Sequence, residues 1–138
     1  MGVWITGDIH GNPIRLRTKS FYEQKEFSGN KDENTAIIAG DFGLVWDYQG
    51  ETVEERHYLD WLDAKPFTTV FVCGNHENFD RLYSYPVKEW NGGKVHEIRP
   101  HVLHLIRGEI FTIEGKSSSL LAVHLRTIFK TGYWMVMM

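Results

Sequence analysis

The chain has little of what marks several large classes of protein. Its 138 residues include one cysteine, Cys73, which excludes an internal disulfide and suits a reducing cytoplasm. No apolar run reaches the ~18 residues that indicate a membrane span. No charged leader with a cleavage site precedes the first apolar run, which starts at Val3. We therefore expect a cytoplasmic protein with no membrane segment, whose fold begins at its first strand.

An excess of positive charge is also lacking. The formal net charge is −3, so no basic field favours nucleic acid as a general partner. Low-complexity segments are absent, and aromatic residues make up 14% of the chain, which argues for a packed globule rather than disorder. The length suits one domain with a substantial core. The sequence carries no signal for an oligomeric state.

What the sequence does have is a repeated pattern, in which an apolar run is closed by a glycine-led polar motif. Val3–Thr6 is closed by "GDIHG", Thr35–Ala39 by "GDFG", and Phe67–Cys73 by "GNHE". Short apolar runs of this kind are typical of strands buried on both faces of a parallel sheet.

Helical stretches lie between these runs. Pro13 to about Phe27 is mixed and charged, and Thr52–Ala64 has helical spacing and ends before Pro66. The alternation predicts βαβ units and a mostly parallel sheet, in which ligands bind beyond the carboxyl ends of the strands. The motif residues that we expect at this rim are Asp8, His10, Asp41, Asn75 and His76.

The pattern changes after Asp80, where short alternating runs and glycine-rich turns replace the long apolar runs. We expect an antiparallel part here, with turns at "NGG" and "RGE". Its predicted strands are Val95–Ile98, Val102–Arg107 and Ile110–Ile113.

The rim residues have the chemistry of metal ligands. If "DIH" is extended, Asp8 and His10 leave the chain on one side and can grip one ion, while the two oxygens of Asp41 can bridge two ions. Asn75 offers a carbonyl oxygen to a second ion. Oxygen and nitrogen ligands without thiolate suit Mn, Fe, Zn or Mg, and two such ions ~3.5–4 Å apart would clamp a phosphoryl group. His76 would then donate a proton to the leaving oxygen or a hydrogen bond to a phosphate oxygen.

Each motif also has a structural interpretation. A single "GD" after a strand is usually a turn, in which the aspartate accepts backbone N–H groups; the three motifs in order favour function. Glu77 either orients His76 or is a turn carboxylate. Asn78, Asp80 and Arg81 either contact substrate or cap the next helix, and Arg81 would face a phosphate.

Trp46 and Trp61 are aromatic residues in the first half of the chain. Packing in the core or at its rim is favoured for both over stacking on a substrate.

The ordered set "GDIHG", "GDFG" and "GNHE" resembles the calcineurin-like metallophosphoesterase superfamily, strongly over residues 2–80 and weakly to Lys116. The resemblance implies an α/β fold, the N-terminal portion of a β-sandwich flanked by helices, and a hydrolase for phosphomonoesters or phosphodiesters. It implies two divalent metal ions, with Asp8 and His10 on the first, Asp41 bridging and Asn75 on the second. His76 would be the acid or phosphate-contacting histidine.

The sequence departs from that family in its later histidines. The family supplies three more, two of them in a "GHxH"-like motif, and nothing here matches it. We expect the remaining histidines to be structural, although one, after "SLLAV", could mimic a ligand; they are His57, His96, His101, His104 and His124. Three hypotheses stay open: an active phosphoesterase with reduced turnover, a non-catalytic metal- or phosphate-binding remnant, and a structural domain without metal.

Residues 117–138 form a divergent tail after a predicted domain at 1–116. The tail ends in "WMVMM", an unusual apolar cluster for a domain surface. Trp and Met each have one codon, and reading Trp134–Met138 one base earlier gives Leu-Asp-Gly-X-Asp. A frame slip near Lys116 would explain both the lost resemblance and the missing histidines. We therefore expect a truncated domain that exposes sheet edge, aggregates readily and shows little or no turnover.

Overall fold

The computed structural model describes residues 2–17, 30–73, 77–113, 116–120, 126–130 and 133–137. These residues form ten strands, two α-helices and two 3₁₀ turns. The strands are β1 Gly2–Thr6, β2 Asn34–Ala39, β3 Thr68–Val72, β4 Val87–Trp90, β5 Gly93–Arg99, β6 Val102–Leu105, β7 Ile110–Ile113, β8 Lys116–Leu120, β9 Arg126–Lys130 and β10 Tyr133–Met137. The helices are α1 Val53–Asp63 and α2 Phe79–Leu82, and the 3₁₀ turns are Ile14–Leu16 and Lys31–Glu33.

Six strands form the main sheet in the order β1-β2-β3-β6-β5-β4. The first four are parallel neighbours, and β5 and β4 extend the sheet antiparallel. Every residue of β3 is buried, as its continuous apolar run predicts for a strand covered on both faces. The predicted α/β class is confirmed, and the motifs that follow β1 and β2 lie at one edge of this sheet.

The antiparallel part differs from the prediction in two respects. Strand β6 pairs antiparallel with β5 but parallel with β3, where the Thr69 amide donates to the His101 carbonyl at 2.9 Å. Strand β4 was not predicted, and it pairs with β5 through the turn at Asn91, which has a positive φ of 48°. An alternating pattern identifies strands but not their neighbours, because pairing depends on how the hairpin docks onto β3.

A second sheet has the order β7-β8-β10-β9 and includes the described parts of the tail. Strands β8 and β10 are parallel, whereas the other two pairs are antiparallel. Phe111 of β7 is fully buried and packs in one cluster with Val70, Leu103 and Leu105 of the main sheet. This contact packs the start of the second sheet against the main sheet.

Helix α1 covers the other face of the main sheet with its buried residues Leu59 and Leu62. A capping box starts the helix: the Thr52 side chain accepts from the Glu55 amide at 3.1 Å, and Glu55 Oε1 accepts from the Thr52 amide at 3.0 Å. The helix therefore matches the prediction within one residue at each end. No helix in the described part of the chain is long and apolar enough to cross a membrane.

The predicted helix from Pro13 to about Phe27 is described only in its first residues. Its described part is the 3₁₀ turn Ile14–Leu16, and Arg17 has an extended backbone with a ψ of 142°. The remainder of the predicted helix, to Phe27, lies outside the described residues.

Two histidines pair inside the core, opposite each other on β5 and β6. The Nδ1 atoms of His96 and His104 are 2.9 Å apart, and their rings are stacked at 5.2 Å. His104 is fully buried, and Phe71 and Tyr83 contact its ring. Burial, with the charges of His96 and Arg107, lowers the pKa of His104 to about 3. Burial also lowers the pKa of His96.

We expect this pair to make folding stability fall in mild acid. Because the pKa of His104 is lower in the folded chain, the unfolded chain binds a proton first. The contribution is therefore full above pH ~6.5, and it is lost as the pH falls from 6.5 towards 3. The loss in the free energy of unfolding amounts to about 2 kcal/mol by pH 5. Urea denaturation at pH 7.5 and 5 measures it.

His104→Leu is the control, because it removes the titrating ring while keeping an apolar side chain. Glu77 has a raised pKa of about 8 and acts in the opposite direction between pH 8 and 4.5, so only the difference between the two chains isolates His104. An equal pH dependence in the His104→Leu chain would contradict the prediction.

Candidate metal centre

The turns after β1 and β2 are joined by backbone hydrogen bonds. The Asp41 carbonyl accepts from the amides of Ile9 and His10, both at 3.0 Å, and the Phe42 carbonyl accepts from the Gly11 amide at 2.8 Å. Because β1 and β2 are parallel neighbours, their carboxyl ends meet and these bonds continue the pairing into the loops. "GDIHG" and "GDFG" therefore form one rigid unit.

Asp8, His10 and Asp41 come together on this unit. Asp8 Oδ1 accepts from the Asp41 amide at 3.0 Å, while Asp8 Oδ2 lies 3.5 Å from His10 Nε2. Asp41 Oδ2 lies 3.8 Å from His10 Nδ1. One ligand atom from each residue falls within 4.8 Å of the others, a grouping that could hold a metal ion. The side chains of Asp8 and His10 are half-exposed and that of Asp41 is 8% exposed, so the group opens to solvent on one side.

The sequence-based prediction assumed that the backbone of "DIH" is extended, but it is not extended over all three residues. Ile9 is buried between the exposed Asp8 and His10, which keeps the expected alternation. His10, however, has a φ of 46° in the left-handed region, which is uncommon for a residue other than glycine. Such strained positions cluster at functional sites, where the surrounding structure holds them in place.

Phe42 anchors the second turn in the core. Its ring is fully buried and stacks on Phe71 of β3 at 3.9 Å, with 7° between the planes. Aromatic pairs of this kind add about 0.5–1.5 kcal/mol beyond the area that they bury. The phenylalanine of "GDFG" thus fixes the turn that carries Asp41.

Gly40 is needed because the Asp8 carboxylate occupies the space beside it. A Cβ at position 40 would lie 1.7 Å from Asp8 Oδ1, and φ is +131°. We expect Gly40→Ala to displace the Asp8 carboxylate, to weaken metal binding and to destabilise the fold by about 1–3 kcal/mol. Chemical denaturation and metal titration measure the two effects.

Gly50→Ala is the matched control for that substitution. Gly50 has a similar φ of +125°, but nothing lies within 4 Å of a Cβ there. It carries the backbone strain without the collision, so its destabilisation should be smaller and its metal binding normal. If the two substitutions change stability and metal binding equally, backbone strain explains both effects and the collision with Asp8 does not.

Glu77 ties the third motif to the second. Its Oε1 accepts from the amides of Phe42 at 2.6 Å and Gly43 at 3.1 Å, and its Oε2 is buried without a partner among the described residues. Burial raises the pKa of Glu77 to about 8, and the Asp41 charge contributes. The sequence identified Glu77 as a turn or orienting carboxylate, but not its partners, which are 35 and 34 residues earlier.

Asn75 and His76 lie outside the described residues. Their flanks are fixed: Cys73 is buried at the end of β3, and the Asn78 amide donates to the Val45 carbonyl at 2.8 Å. The metal-ligand role of Asn75 and the proton-donor role of His76 stay predictions.

Arg81 is engaged with α1. Its Nη1 donates to Glu55 Oε1 at 2.9 Å and to the Asp47 carbonyl. Asn78 caps α2 by accepting from the Arg81 amide at 3.2 Å, which agrees with the capping interpretation. Contact between Arg81 and a phosphate stays a prediction.

The later histidines lie apart from this centre in the described part of the chain. His57 is exposed on α1, and His101 lies 3.2 Å from Asp32. His96 and His104 form the buried core pair described above, and His124 lies outside the described residues. The grouped ligands are therefore two carboxylates and one imidazole, a donor set that fits a hard or borderline divalent ion.

Comparison with known proteins gives one match. The family model described as calcineurin-like phosphoesterase matches residues 1–133 of the chain. Neither the curated proteins nor the solved structures give a significant match. The matched range contains all three motifs and runs past Lys116, the predicted end of the domain. That boundary and the out-of-frame origin of 117–138 stay predictions, which the nucleotide sequence read in the shifted frame would test.

Proposed function

Since the chain belongs to the calcineurin-like phosphoesterase family, we propose that it hydrolyses phosphomonoesters or phosphodiesters at a two-metal site. The observation that carries the proposal is the grouping of Asp8, His10 and Asp41 at the carboxyl ends of β1 and β2. The half-exposed Asp8 and His10 leave the group open to a substrate. A single buried cysteine, Cys73, suits a cytoplasmic enzyme.

The proposed ligands divide between two divalent ions, each Mn, Fe, Zn or Mg. Asp8 and His10 would hold the first, Asp41 would serve both, and Asn75 would hold the second. When bound, the ions supply positive charge to the phosphoryl oxygens and lower the pKa of a water molecule. The hydrogen bond from the Asp41 amide to Asp8 Oδ1 leaves Oδ2 of Asp8 as the oxygen that faces His10.

The chain's own residues then handle the proton and the phosphate. In hydrolysis, a water oxygen forms a bond to phosphorus while the ester P–O bond breaks. His76 gives its proton to the leaving oxygen, which departs as an alcohol, and the proton of the attacking water is released to solvent. Contact of Arg81 with a phosphate oxygen would require its guanidinium to leave Glu55, because Nη2 is buried in the described part of the chain.

The test combines metal analysis of the purified chain with turnover of p-nitrophenyl phosphate and bis(p-nitrophenyl) phosphate in Mn²⁺. We expect bound metal and turnover of at least one ester. Asp8→Ala should remove both, whereas Asp80→Ala, which changes an exposed carboxylate on α2, should remove neither. Bound metal without turnover would favour the non-catalytic remnant, and absence of both would favour a structural domain.

A further inference from the structure

A cavity of about 280 Å³ opens directly beside the metal-ligand group. His10 belongs to the ligand group and also lines the cavity, and Leu44 and Trp46 are further lining residues. The volume is just below the ~300–1,000 Å³ of typical ligand pockets, so it suits one ring system rather than an extended chain. An ester whose phosphate lies at the metal-ligand group would extend its organic part into this cavity.

Trp46 gives the cavity an aromatic wall. The residue is 52% exposed, unlike the buried aromatic residues of the core, whereas the sequence favoured packing in the core or at its rim over stacking on a substrate. Its backbone is fixed, because the amide donates to Glu55 Oε2 at 2.9 Å. A large, rigid ring of this kind provides contact area for a planar ligand at low entropic cost.

The charge of the lining is negative. Glu55 is compensated by Arg81 at 2.9 Å and by backbone amides, but Asp47 and Glu54 add two further carboxylates. No lysine or arginine lines the cavity among the described residues. An organic group with its own negative charge would be repelled here.

We propose that this cavity, the Trp46 cavity, binds the organic group of the substrate and selects esters whose organic group is an uncharged planar ring. The inference rests on the proposed phosphoesterase function and names the substrate class for that same site. Trp46 stacks on the ring, and the carboxylates of Asp47 and Glu54 reject organic groups that carry a carboxylate or a second phosphate.

The test measures binding of phosphonates, which are not hydrolysed, by calorimetry in the presence of Mn²⁺. Phenylphosphonate should bind about three- to tenfold more tightly than methylphosphonate. Trp46→Ala should abolish that preference while leaving methylphosphonate affinity within about twofold, and Trp46→Phe should keep part of it. Tyr48→Ala is the matched control, because Tyr48 is 87% exposed on the same loop and does not line the cavity.

The charge of the lining is tested with 4-phosphonobenzoate, which adds a carboxylate to the same ring. It should bind about threefold more weakly than phenylphosphonate, and Glu54→Gln should narrow the difference. Glu54 is exposed at the start of α1, so the substitution leaves the core intact.

The outcomes separate the two proposals. Equal affinity for phenylphosphonate and methylphosphonate, unchanged in Trp46→Ala, would overturn the Trp46 cavity as a selective site while supporting a phosphate-ester site. Binding of neither phosphonate would overturn both. Equal binding of 4-phosphonobenzoate and phenylphosphonate would overturn the rejection of anionic groups.

Discussion

The Asp41→Asn variant should lose more bound metal than any other variant in which one carboxylate is replaced by its amide. It should also lose more than Asn75→Ala. Asp41 is the proposed ligand of both ions, so its loss weakens two sites, whereas Asn75 serves one. Because even outer-shell partners of metal ligands cost about 10–100-fold in affinity, we expect a loss of more than about 100-fold. Metal content of the purified variants and titration with Mn²⁺ measure it.

The fold should survive Asp41→Asn, which makes the comparison clean. The hydrogen bonds that join the two turns use the backbone carbonyl and amide of residue 41, and the substitution leaves both in place. Asp47→Asn is the matched control, because Asp47 lies six positions further along the chain and outside the ligand group. If the Asp41→Asn variant binds as much metal as the unchanged chain, Asp41 is not a metal ligand.

The parallel half of the fold could be predicted because buried strands are continuous apolar runs. The runs at Val3, Thr35 and Phe67 became β1, β2 and β3, and parallel pairing brought the motifs after β1 and β2 to one edge. Helix α1 was predicted from its helical spacing and from Pro66 beyond its end, and the capping box of Thr52 and Glu55 is a further local signal within one turn. These features depend on neighbours that are close in sequence or on a uniform environment.

The remainder depended on contacts between distant residues. The parallel pairing of β6 with β3 joins Val70 to Leu103, and no local pattern specifies that register. The partners of Glu77 are amides of another loop, and its burial follows from the packing of that loop. The exposure of Trp46 could not be predicted either. An aromatic residue near an apolar run has the same local sequence pattern whether it packs in a core or lines a cavity.

His76→Ala should lower the rate much more than it lowers metal content. In any form of the chain that turns over, we expect a loss of about 10²–10⁴ in kcat, the usual contribution of a general acid. The proposed proton goes to the leaving oxygen, so the loss should be largest for alkyl phosphates, whose leaving groups need the proton. It should shrink for p-nitrophenyl phosphate, whose leaving group is stable as an anion.

A series of aryl and alkyl phosphates of graded leaving-group pKa is therefore the decisive measurement. His57→Ala is the control, because His57 is exposed on α1 and outside the ligand group in the described part of the chain. A loss that rises with leaving-group pKa assigns the proton to His76. A loss of the same size across the series would mean that His76 positions the phosphate through a hydrogen bond, since that contact is made whatever group departs.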